Sequence, residues 1–118
     1  MDSKLNNLLI VEDNSFIKKE IFNATKEFSS IGEIQLSETL QKAISFITNT
    51  KFEIIILDLK LPDGNGVELL KFLKEKHIKA KVFIFSMSTE LKNICLKYGA
   101  FAFFDKANDF DKLLESIK

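Results

Sequence analysis

The chain has 118 residues, enough for one compact domain, since domains most often run to about 100–150 residues. Hydrophobic residues make up 46% of it and charged residues 29%, a mix that supports a buried core. Seventeen basic side chains balance seventeen acidic ones, so the basic excess that a nucleic-acid module needs to meet phosphates is missing, and any DNA binding would come from another chain or domain.

Met1 to Asn7 is polar and has no apolar stretch of the secretory kind. Leu8–Val11 follows as a continuous apolar run, the pattern of a strand covered on both faces. Ile17, Ile21, Thr25 and Phe28 then recur at helical spacing. Glu33–Leu36 alternates in polarity and predicts a less buried strand. Leu40, Ala43, Ile44 and Ile47 form a second helical stripe, before the apolar run Ile54–Leu57. A loop with Pro62, Gly64 and Gly66 comes next; the proline stiffens it and the glycines are expected to allow turns with positive φ. A third helix begins near Val67 and turns Leu69, Leu70 and Leu73 inward. Val82–Phe85 reads as a strand, and Leu91, Ile94, Cys95 and Tyr98 as the stripe of a fourth helix. Phe101–Phe104 gives the last strand, and Phe110, Leu113, Leu114 and Ile117 the last helix.

No apolar run approaches the roughly 20 residues that cross a bilayer, so no membrane insertion is expected. Cys95 is alone, which rules out an intrachain disulfide and makes a reducing cytoplasm the expected setting. The order is βα repeated five times. Parallel strands need crossovers, and right-handed crossovers place helices on both faces of the sheet. A doubly wound, five-stranded α/β domain over residues 1–118 follows, with no internal linker or repeat. The last helix runs to the end of the chain, so no output domain is expected within it.

In open α/β sheets the ligand site lies beyond the carboxyl ends of the strands. The residues just past the apolar runs are Glu12, Asp13 and Asn14 after the first, Asp58 after Ile54–Leu57, Ser86 after the next and Lys106 after the last. Three acids, a hydroxyl and an amine thus converge on one edge. Hard carboxylate oxygens suit Mg²⁺, which binds through one or two carboxylates with phosphate and water completing its shell. Lys106 offsets part of the negative charge and can hold a phosphoryl oxygen, and Ser86 can donate a hydrogen bond to another. A carboxylate can form an acyl phosphate when metal and lysine offset the charge of the transition state. Asp58 ends the β-branched run Ile54-Ile55-Ile56 and is therefore central, which makes it the nucleophile of choice.

Leu8-Leu9-Ile10-Val11-Glu12-Asp13-Asn14 resembles the first strand and acidic pair of response-regulator receiver domains. Leu57-Asp58-Leu59-Lys60-Leu61-Pro62-Asp63-Gly64-Asn65-Gly66-Val67-Glu68-Leu69 resembles their phosphoacceptor strand and loop, Phe85-Ser86-Met87-Ser88 their switch-hydroxyl strand, and the segment from Gly99 to Lys106 their last strand and lysine. The resemblance runs from Leu8 to the end of the chain. It implies a flavodoxin-like (βα)5 fold with strand order 2-1-3-4-5. It further implies that a histidine kinase or phosphotransfer protein passes a phosphoryl group to Asp58. Asp13, Asp58 and the main-chain carbonyl of Lys60 would bind Mg²⁺ directly, with Glu12 acting through water. Lys106 and Ser86 would grip the phosphoryl oxygens. Inward movement of Ser86 and Phe103 would then alter the surface of the fourth helix, fifth strand and fifth helix, where a downstream protein, an output domain on a longer chain or a second copy would bind. Such a domain catalyses only its own phosphorylation and dephosphorylation.

Three features depart from that pattern. The stretch from Ser86 to Gly99 is about two residues short, so the fourth helix or the loop before it is expected to be trimmed. Met87 is bulkier than the small residue usual after the switch hydroxyl. Ala107 stands where a proline often follows the lysine, so no cis bond is expected there. Simpler readings stand beside the functional ones. Ser88 rivals Ser86, and either can cap the next helix. Phe103 is one of twelve phenylalanines and reads equally well as static core. Cys95 is a small buried hydrophobe, His77 a helix-end or solvated residue, and Lys71, Lys74, Glu75 and Lys76 a solvated face. The competing function is a pseudo-receiver, an interaction module that keeps the fold but works without phosphorylation. A small Mg²⁺-dependent phosphatase would need a substrate lid, and the loops are too short to supply one.

Overall fold

Aliphatic runs with no polar face have to be covered on both sides, and the chain does this by alternating strand and helix. The structure, a computed structural model, describes residues 4–118. Strand β1 (Asn6–Val11) leads to helix α1 (Ser15–Thr25), β2 (Ile31–Ser37), α2 (Leu40–Asn49) and β3 (Ile54–Leu57). A short hairpin of β4 (Lys60–Leu61) and β5 (Gly64–Asn65) precedes α3 (Val67–Glu75) and β6 (Lys81–Ser86). A 3-10 turn at Thr89–Leu91, α4 (Lys92–Lys97), β7 (Ala102–Asp105) and α5 (Phe110–Ile117) complete it. The five long strands form one parallel sheet in the order β2-β1-β3-β6-β7. With the hairpin set aside, that is the expected 2-1-3-4-5 order of a flavodoxin-like receiver fold.

Side chains alternate across the pleat. Leu9, Val11, Ile55, Leu57, Val82 and Ile84 pack under α2, α3 and α4, whereas Leu8, Ile10, Ile54, Ile56, Phe83 and Phe85 pack under α1 and α5. Burying each such side chain is worth roughly 1.5–3 kcal/mol. The sheet interior therefore dominates stability, and the strand ends can tolerate polar groups that do not stabilise the fold. Register fixes which ends meet. Val11 lies beside Leu57 and Leu57 beside Ile84, so Glu12 and Asp58 emerge together. Ser86 lies beside Asp105, which brings Lys106 to the same edge.

β2 is longer than the expected Glu33–Leu36 and begins at Ile31. The last strand is shifted by one residue: Phe101 is 57% exposed and stacks edge-on against Phe83 at 5.2 Å. Phe28 lies beyond the end of α1, although it still packs on the α1 and α5 side. Ile94 is 39% exposed, because α4 is only 6 residues long and turns just one apolar position, Cys95, fully inward. Gly66 has φ −58°, so it does not provide a positive-φ turn; its role is close approach to the Asp58 backbone. His77 closes α3 in the left-handed conformation at φ 57°, with the Ile78 amide donating back to the Leu73 carbonyl. No cis peptide bond occurs among the described residues, including the one before Ala107.

Candidate phosphoacceptor site

Three polar groups of the site are placed by backbone bonds that continue the sheet past its apolar part. The Glu12 amide donates to the Ser37 carbonyl, the Asp58 amide to the Val11 carbonyl and the Lys106 amide to the Ser86 carbonyl, at 2.9, 2.9 and 3.0 Å. Glu12, Asp58 and Ser86 are consequently buried, at 1%, 5% and 0% exposure, while Asp13 is exposed. The Lys106 ammonium bridges the two buried acids, donating to Asp58 Oδ2 and to Glu12 Oε1 at 2.9 Å each. The second Glu12 oxygen accepts from the Asn14 amide at 3.0 Å, and Asp58 Oδ1 accepts from the Leu59 amide at 2.8 Å. Asp58 is thus held at both oxygens in one orientation. These groups line an open cleft of about 760 Å³ that Lys60, Pro62, Met87 and Ser88 also border.

The electrostatics follow from counting charges. Glu12, Asp13 and Asp58 bring carboxylate oxygens within 4.8 Å of one another, and one ammonium faces them. Burial pushes the Glu12 carboxyl above its ordinary range; the hydrogen bond from Lys106 opposes this, and the neighbouring charge of Asp58 adds to it. Burial alone would lower the Lys106 value, but its hydrogen bonds to Asp58 and Glu12 together outweigh burial and keep it above that of a free lysine. Three hard anionic donors with one cation leave a net negative pocket that suits a small divalent cation. The donor set therefore fits Mg²⁺.

The loop after Asp58 is held close for a steric reason. A methyl group on Gly66 would lie 2.5 Å from the Asp58 carbonyl oxygen, and the Gly66 amide donates to the Leu59 carbonyl at 2.8 Å. Only glycine permits that approach. At the hairpin tip, Asp63 accepts from the Leu40 and Gln41 amides at 2.8 and 2.9 Å, tying the loop to the start of α2. These backbone bonds, Gln41 first, hold its carboxyl below the usual aspartate range.

The structure brings Glu12, Asp13, Asp58, Ser86, Lys60 and Lys106 together. Ser86 is the buried member of its pair: its Oγ accepts from the Ser88 amide at 3.0 Å, and neither serine caps a helix. Phe103 lies outside the cleft, half-buried on the α2, α3 and α4 side of the sheet. Cys95 is buried, which pushes its thiol up to about 11. Lys71, Lys74, Glu75, Lys76 and His77 are exposed. Sequence reasoning missed Asp63, which reads as an ordinary turn residue between Pro62 and Gly64, and it missed the acids around Lys106 at Asp105 and Asp109.

The family model for the response regulator receiver domain matches residues 8–118. The sporulation initiation phosphotransferase F of Bacillus subtilis is 31% identical over 116 residues, covering 94% of this chain and 90% of that protein. The nitrate/nitrite response regulator protein NarL of Escherichia coli is 25% identical, over 93% of this chain but only 52% of NarL. The chain thus spans about half the length of the transcriptional regulators it matches. A crystal structure of a signal receiver domain from Vibrio parahaemolyticus superposes with a TM-score of 0.87 at 31% identity, covering 96% of this chain and 87% of that one.

Proposed function

Because the chain belongs to the response-regulator receiver domain family, we propose that Asp58 accepts a phosphoryl group from a histidine kinase or phosphotransfer protein and that the acyl phosphate switches a binding surface. The observation that carries this reading is the buried Asp58 carboxylate, fixed at both oxygens and facing an acidic cleft beside Lys106.

Receiver domains bind Mg²⁺ in such an acidic pocket, and here Asp13, Asp58 and the Lys60 carbonyl would hold it directly, with Glu12 through water. Bound there, the ion supplies positive charge to the carboxylates and to a phosphoryl oxygen. The remaining work falls to this chain's own residues. An oxygen of Asp58 attacks the phosphorus of a phosphohistidine; the phosphorus–nitrogen bond breaks and its electron pair leaves with the imidazole. Lys106, already within hydrogen-bonding distance of Asp58, moves from the free carboxylate to a phosphoryl oxygen. Ser86 turns its hydroxyl from the Ser88 amide to another phosphoryl oxygen. That movement opens space toward Phe103, whose rotation would change the face made by α4, β7 and α5. A downstream protein, an output domain or a second copy of the chain would read that face.

No helix among the described residues is long and apolar enough to cross a membrane, and we place the protein's action in the cytoplasm with its phosphodonor. A single domain over residues 1–118 is part of the same proposal. The exposed Met87 at the cleft mouth, 64% accessible, favours a second reading in which the fold binds a partner without phosphorylation. Intact mass after incubation with acetyl phosphate separates the two. A single Mg²⁺-dependent phosphoryl adduct, absent from Asp58→Asn, is expected. A hydroxylamine-labile adduct of equal size on the variant would remove Asp58 from its role. If no adduct forms on the wild type, beryllofluoride binding distinguishes a shielded site from an inactive one.

A further inference from the structure

Lys106 is the one cation on the buried acids among the described residues, yet the residue after it, Ala107, imposes no constraint on the backbone of the kind a proline would. The sheet bond from the Lys106 amide to the Ser86 carbonyl holds the lysine on one side, and the bonds on the other side centre on Asp105. Asp105, the last residue of β7, accepts from the Ala107 amide through Oδ1 at 2.9 Å and from the Asn108 side-chain amide through Oδ2 at 3.3 Å. Its own amide donates to Asp109 Oδ2 at 2.9 Å, and its carbonyl accepts from the Asn108 and Asp109 amides at 3.1 and 2.8 Å. Lys106 is therefore enclosed in a loop whose bonds converge on Asp105, four of them accepted by it and one donated. The Ala107 amide is the donor a proline lacks, so the bond to Asp105 is possible only because position 107 is not proline.

We propose that Asp105 is a positioning residue: its side chain folds the loop between β7 and α5 into an Asx turn that aims Lys106 at Asp58 and Glu12. This takes the importance of Lys106 from the proposed phosphoryl transfer, but the geometric claim stands apart from it. The function of the loop follows from reach. A lysine side chain has several rotatable bonds, and ordering it over two carboxylates is favourable only if its Cα is already in place.

The test is acetylation footprinting by mass spectrometry, which reads each lysine separately. Lys106 is 12% exposed, and Lys18, 17% exposed and paired with Glu38, serves as an internal reference for general loosening. In Asp105→Ala the ratio of Lys106 to Lys18 labelling should rise by about tenfold, in keeping with the loss of hydrogen bonds that shift a local opening equilibrium. Asp105→Asn retains an acceptor for the Ala107 amide and should label close to the wild-type ratio. An unchanged ratio in Asp105→Ala overturns the proposal. So does a parallel rise at Lys18, which would make Asp105 a general determinant of the fold, and so does an Asn variant that labels as fast as the Ala variant. Acetyl phosphate treatment of the wild type in the same series keeps the two questions distinct. A missing adduct there counts against the phosphoacceptor reading and leaves the labelling result to judge Asp105.

Discussion

At the carboxyl ends of the strands, Glu12, Asp58 and Ser86 are buried and one lysine faces two of the acids; at the amino ends, Lys51, Lys79 and Lys81 stand in solvent and Glu53 accepts from the Asn7 amide at 2.7 Å. The amino end matches or hydrates its polar groups, while the carboxyl end buries more negative charge than positive. Burying charge without full compensation opposes folding. The carboxyl end is thus held together mainly by the core beneath it rather than by its own interactions. Stability and chemistry should therefore respond to different residues.

The largest effect on stability is expected inside the sheet. Ile55→Ala, at 1% exposure, should cost about 2–5 kcal/mol in urea unfolding while the folded fraction still accepts phosphate. A smaller loss would mean that the interior repacks more easily than this division allows. Gly66→Ala should cost about 1–3 kcal/mol, because the added methyl group meets the Asp58 carbonyl and the backbone has to move. It should also slow phosphorylation, thus crossing the boundary between the two regions; an unaffected rate would show that the Asp58 loop tolerates displacement.

Asp63 sharpens the comparison through pH. Its folded-state value lies below that of the unfolded chain, so its contribution is complete above the ordinary aspartate range and is lost as pH falls through the folded value. The stability gap between wild type and Asp63→Ala should be constant near neutrality and should close on acidification. A gap independent of pH would dismiss the carboxylate cap on α2. The smallest effect is a gain. His77→Gly relieves a left-handed residue at the solvated end of α3 and should stabilise by about 0.5 kcal/mol in thermal melts, since the backbone entropy of glycine offsets part of the relief. A loss would mean that the imidazole makes a contact worth more than the strain.

Much of this was legible in the sequence because it rests on residue type. Ile54–Leu57 and Val82–Phe85 have no polar face, so burial on both sides and parallel pairing follow, and Asp58, Ser86 and Lys106 stand just past the ends of such apolar runs. Phe101 misled because an aromatic residue reads as core wherever it falls, yet here it lies on the surface with the Lys81 ammonium 5.0 Å from its ring. The hairpin of β4 and β5 was too short to leave a period. Asp63 and Asp105 escaped notice for a different reason: each acts on backbone amides whose direction is set by how a loop curls, and no spacing of residue types encodes that. At Gly66 the sequence shows that a glycine is present and not which atom would meet its missing methyl group, so close approach to the Asp58 carbonyl is visible only in the fold.

Asp58, and not its acidic neighbours, is the residue proposed to carry the phosphoryl group. Borohydride reduction of the acetyl phosphate-treated protein converts an aspartyl phosphate to homoserine, and peptide mapping then locates it. Homoserine at position 58, formed only with Mg²⁺ present, is the predicted result. Homoserine at Asp13, or a reduced residue at Glu12 with position 58 intact, would contradict the account.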